Sequence, residues 1–81
     1  MTVERLRLEG QPLTEPELEV LQAAADGLSA KETAAKLVKS QHTVVAQRRT
    51  IQAKLGARNL PHAISLAYGL RVLWPPPLEA R

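Results

Sequence analysis

The strongest constraint on this chain is how often it carries helix-start and helix-stop signals. Thr14 is followed three residues later by Glu17, and Ser29 by Glu32. At that spacing a hydroxyl and a carboxylate can each take one of the unpaired N–H groups around the first turn of a helix. Ser40 and Asn59 open two further segments. Gly27 and Gly56 fall where helices must stop, in the left-handed conformation that glycine adopts without steric cost. Pro16 and Pro61 lie in first turns, where a missing N–H does no harm. The punctuation predicts four short helices joined by tight turns.

The apolar residues recur at helical spacing between these signals. The first helix places Leu18, Leu21 and Ala25 on one face, with Leu13 and Leu18 able to staple its start. The second carries Ala30, Ala34 and Leu37, with Thr33 beside them, and runs to about Val38. The turn from Val38 to Ser40 leads into a third helix that buries Val44, Ile51 and Leu55 and ends at Gly56. The fourth has Ala63, Ile64, Ala67 and Leu70 as its apolar residues, with Gly69 in or just past its last turn. Val3, Leu6 and Leu8 could extend as a strand, but one strand has no partner. Pro75, Pro76 and Pro77 predict an extended or disordered tail from Trp74 to Arg81. The expected fold class is all-α, and the expected organisation is an N-terminal extension over 1–12, one domain over 13–73 and a proline-rich tail over 74–81.

With 81 residues the core is thin, and a single domain is the expectation. There is no cysteine, Asp26 is the only aspartate, and His42 and His62 stand twenty residues apart. These residues offer no nucleophile with its base and no metal ligand set, so no enzyme, cofactor, metal or small-molecule ligand is expected. Tyr68 and Trp74 are the only aromatics, too few for a surface that stacks single-stranded bases. No apolar run is long enough to span a membrane, and residues 1–10 have no signal-peptide pattern, so the cytoplasm is the expected location.

Charge is unevenly spread. Residues 31–58 hold seven basic groups (Lys31, Lys36, Lys39, Arg48, Arg49, Lys54, Arg58) against Glu32 alone. Residues 1–30 hold six acidic groups against Arg5 and Arg7. A basic middle beside an acidic start suits either a polyanion footprint or a solvated basic face. The second and third helices lie within that segment and are joined by a tight turn, as in a helix-turn-helix. Ala34 puts a small residue where they cross, and Val44 faces it. The outward face of the third helix then carries Val45, Ala46, Arg49 and Gln52, with Gln41 and His42 at its start. Arginine can bond both acceptors of guanine in the major groove, and small apolar side chains can touch a thymine methyl. The alternative for Val45 is packing against the fourth helix.

Three blocks in order resemble the LuxR/GerE-type helix-turn-helix domain. LTEPELEVLQAAADGLS is similar to the family's first helix, with Glu17, Leu21 and Gly27 on its characteristic positions. SAKETAAKL is similar to its second, and Ser40, Thr43, Val44 and IQAKLGARN to its third. The resemblance runs from Leu13 to about Leu73. Pro16 replaces a basic residue, Thr33 a buried Ile, Val45 a frequent Lys or Arg, and Gln47 a usual His. The hydroxyl of Thr33 is expected to bond back to the helix backbone. Less of the base reading is expected to come from guanine.

The resemblance implies a four-helix domain of the winged-helix-like kind without a wing, with the third helix in the major groove and the fourth in a twofold dimer contact. It implies base reading by Val45, Ala46 and Arg49. Phosphate contacts are expected from Lys31, Lys39, Gln41, His42, Thr43, Arg48 and Lys54, with Lys36 a further candidate. Arg48 has pairing with Glu17 as its alternative, and the lysines have plain solvation as theirs. The dimer candidates are Leu60, Ile64, Ala67 and Tyr68, with packing of Ile64 and Ala67 on the first helix as the alternative. Glu17, Leu21, Gly27, Ala34, Val44, Ile51, Leu55 and Gly56 are the structural residues. Beginning at Met1 with a dozen residues before the first helix, the chain is expected to be the stand-alone, GerE-like form of a bacterial or phage regulator. A C-terminal fragment of a larger response regulator is the alternative. The expected function is a sequence-specific, homodimeric transcription regulator binding a pseudo-palindromic duplex site. The competing class is an interaction module that binds RNA polymerase, a sigma factor or a full-length relative.

Overall fold

The computed structural model describes residues 8–73, and among them it contains four helices and no strand. These are α1 (Glu15–Ala25), α2 (Ala30–Leu37), α3 (Gln41–Leu55) and α4 (Leu60–Gly69). The all-α expectation holds. Of the suspected N-terminal extended segment only Leu8 is described, and its carbonyl accepts from the Gln11 N–H in a turn. The tail from Trp74 to Arg81 lies outside the described residues.

Each helix starts as its sequence dictates. The Thr14 N–H donates to the Glu17 carboxylate at 2.8 Å and the Glu17 N–H donates back to the Thr14 hydroxyl. Ser29 and Glu32 repeat the reciprocal pair. The Ser40 hydroxyl accepts from the Thr43 N–H, and the Asn59 side chain from the His62 N–H. At the ends, Gly27 (φ +92°) and Gly56 (φ +66°) take up the left-handed backbone. At Gly56 it is the backbone that favours glycine, since an added Cβ would lie 3.1 Å from the carboxylate end of the exposed Glu9 side chain, which can move aside. The α2 end has no glycine: Val38 itself adopts φ +55° there.

The longest helix, α3, packs against α1, α2 and α4. Val20, Leu21, Ala34, Val44, Ile51, Ala67 and Leu73 form the core cluster. Its alanines let the helices approach closely, and Leu21, Ile51, Val20, Val44 and Thr33 are its largest fully buried side chains. Beyond α4 the chain turns back through Arg71 (φ +60°), and Leu73 returns to the core.

Several placements differ from expectation. On α1 the buried residues are Glu17, Val20, Leu21 and Ala23, with Leu18 and Ala25 only half-buried, because the helix is covered by both α2 and α3. Leu55 is half-buried at the end of α3, and Leu70, at the α4 C-cap, is 65% exposed. The Thr33 hydroxyl makes no hydrogen bond to the helix backbone. The Ser29 carbonyl one turn back takes the Thr33 N–H alone, whereas in α3 the Thr50 hydroxyl does bond back to the Ala46 carbonyl at 3.2 Å, so the buried Thr33 hydroxyl has no partner.

Candidate nucleic-acid interface

Residues 44, 48, 51 and 55 lie close together around α3, at about 100° per residue, and turn it toward the other helices. The face left to solvent carries Val45, Ala46 and Arg49, all exposed, with Gln52 half-buried at its edge. Val45 is 36% exposed, so it does not disappear beneath α4. At the helix start Gln41, His42 and Thr43 are also exposed. The Ser40 hydroxyl caps the Thr43 N–H at 3.0 Å and donates to the Thr43 hydroxyl at 2.8 Å. Helix geometry leaves the N–H groups of Gln41 and His42 outside the intrahelical ladder, at the positive end of the α3 dipole. Lys31 and Lys36 on α2 are exposed.

Three of the cations expected to contact phosphate are engaged within the protein. The Lys54 ammonium donates to the Glu17 carboxylate at 2.7 Å and to the Pro12 carbonyl at 3.1 Å, with both charged side chains only 10% exposed. It bolts the α3 end to the α1 start, which corrects its assignment to DNA. Burial alone would raise the Glu17 carboxyl. The Lys54 hydrogen bond, the Thr14 N–H and the ammonium's charge outweigh it and hold Glu17 below its ordinary value. Arg48 does not pair with Glu17, whose partner is Lys54. The Arg48 guanidinium donates to the Leu28 carbonyl at 3.0 Å in the α1–α2 turn, and its Nε is buried without a partner. Lys39 donates from Nζ to the Gln47 side-chain oxygen at 3.1 Å.

Gln47 was not among the expected site residues. Three residues after Val44 and four before Ile51, it is a polar residue near the inward face of α3, and that is the signal that marks it. His62, expected at the surface, is half-buried, and its Nδ1 accepts from the Arg58 N–H at 3.0 Å. Of the dimer candidates, Leu60, Ile64 and Tyr68 are half-buried along one stripe of α4. Ala67 is fully buried in the core cluster, which removes it from any surface contact.

The arrangement is a short helix, a three-residue turn and a longer helix whose outward face mixes a guanidinium with small apolar groups. Residues 11–67 match the family model GerE, bacterial regulatory proteins of the luxR family. The chain belongs to the LuxR family. The match spans α1, α2, α3 and most of α4. No curated protein matches the chain. Among the described residues no helix is long and apolar enough to cross a membrane.

Proposed function

We propose that this LuxR-family domain is a transcription regulator in the cytoplasm that binds a pseudo-palindromic duplex site as a homodimer, with α3 in the major groove. The observation that carries this reading is the exposed α3 face, where Arg49 stands beside Val45 and Ala46. Arg49 offers two parallel donors to guanine, and the two small side chains offer contact to thymine methyls. Lys31, Lys39, Gln41, His42 and Thr43 hold phosphates around it, aided by the open N–H groups of the α3 first turn. Lys54 and Arg48 act instead within the fold. The dimer contact runs through Leu60, Ile64 and Tyr68.

Selection of bound fragments from random duplex DNA tests the reading. An enriched sequence with twofold symmetry supports it. Arg49→Ala is then expected to lose about 1–3 kcal/mol per half-site and to relax preference at one base pair. Absence of any enrichment overturns it in favour of a module that binds a protein partner.

A further inference from the structure

Val38 and Lys39 sit the wrong way round for a turn shaped only by apolar burial. Val38 is 91% exposed and holds the left-handed backbone at φ +55°, a conformation in which a β-branched residue is strained. Lys39 beside it is half-buried. The left-handed backbone at Val38 is the cap that ends α2, and the lysine turned inward beside it costs stability unless its ammonium finds a polar partner.

What the turn achieves is the placement of one ammonium group. Lys39 Nζ donates to the Gln47 side-chain oxygen at 3.1 Å, and the Lys39 N–H donates to the Ala34 carbonyl at 3.0 Å. The partner is a neutral amide. Unlike Lys54, which lies against the Glu17 carboxylate, Lys39 forms no ion pair among the described residues. Its charge is therefore held in place and not neutralised. An ammonium has three donors, so two remain, and with its oxygen toward Lys39 the Gln47 amide keeps both of its own. Gln47 lies nearly two turns into α3, so the ammonium is held alongside that helix, beyond its open first turn.

We infer that Gln47 is a positioning residue that holds the Lys39 ammonium ready for one DNA phosphate per subunit. The inference rests on the DNA-binding reading and adds one oriented contact to it. A free lysine loses rotamer freedom when it meets a phosphate, whereas Lys39 has already lost it against Gln47.

The test is the salt dependence of duplex binding, read beside thermal melting, for the full chain and four variants. Lys39→Val should reduce the slope of log K against log salt by about 0.9 per subunit, one phosphate's worth. Gln47→Glu should reduce it equally, because a carboxylate there neutralises the ammonium. Lys39→Val combined with Gln47→Glu should match Lys39→Val alone, showing that the glutamate acts through Lys39 and not by repelling DNA. Gln47→Ala should keep the slope and weaken binding several-fold. A Lys39→Val variant that melts lower but keeps the wild-type slope makes Lys39 a strut and overturns the inference alone. An additive loss of slope in the double variant overturns it as well. A wild-type chain that binds no duplex removes the DNA-binding reading, and this inference with it.

Discussion

Glu17 is tied into the fold at both ends of its reach. Its carboxylate completes the α1 capping box and takes the Lys54 ammonium from the far end of α3. Lys54→Ala would leave that charge buried with only the Thr14 N–H, so a loss of about 3 kcal/mol is expected, seen by denaturant unfolding. Affinity of the remaining folded protein for DNA should change little. Because the folded Glu17 value lies below the unfolded one, its contribution is complete above about pH 4.5 and is lost as pH falls through the folded value. Acid should therefore lower the melting temperature in that window, and Lys54→Ala should flatten the dependence. Glu32, held low by its bond from the Ser29 N–H, has the same sign but lies fully in solvent. Thr33 is the opposite case, a buried hydroxyl with no partner. Thr33→Val keeps the shape and removes the unpaired group, so a gain of about 1 kcal/mol is expected, a rise of roughly 4–8 °C in Tm. A lower melting temperature would mean that the hydroxyl has a partner after all.

At the scale of the element, the caps were the most legible feature. Thr14, Ser29, Ser40 and Asn59 each cap the helix their position announces, since capping is a local contest between a side chain and the first-turn N–H groups. Ser40→Ala is expected to cost about 1 kcal/mol of stability, seen by thermal melting, because it leaves the Thr43 N–H without its side-chain acceptor. The four helices and the outward face of α3 followed from the same local rules. What did not follow was which charged groups the fold consumes. Lys54 and Lys39 look alike as basic residues in a basic segment, yet one meets a carboxylate from 37 residues away and the other an amide eight residues on. Arg48 reaches the Leu28 carbonyl across 20 residues. Such pairings depend on helix crossing geometry, which periodicity does not encode. The left-handed Val38 was equally hidden, because its neighbours carry no signal that a β-branched residue would end a helix.

For the whole molecule, the proposed contact with a second copy rests on a stripe along α4. Leu60, Ile64 and Tyr68 recur every four residues along α4 and stay half-buried, while Ala63 and Ala67 are consumed by the core. Ile64 and Tyr68 also pack partly on that core, so little apolar area is left for association. The dimer should accordingly be weak in free solution and strengthened when both subunits sit on one DNA, where the second binding event becomes intramolecular. For both subunits to read half-sites one duplex turn apart, this contact would have to hold the two α3 helices about 34 Å apart. Leu60→Glu separates this contact from folding. Position 60 begins the helix, where a carboxylate favours the α4 dipole, and Leu60 is not part of the core cluster. The variant should keep its helical content and melting temperature. On a duplex with two half-sites its affinity should fall to that for one half-site, measured by titration against both DNAs. If the variant is folded and still binds the two half-sites cooperatively, the subunits meet elsewhere and the predicted spacing of the recognition helices fails with the contact.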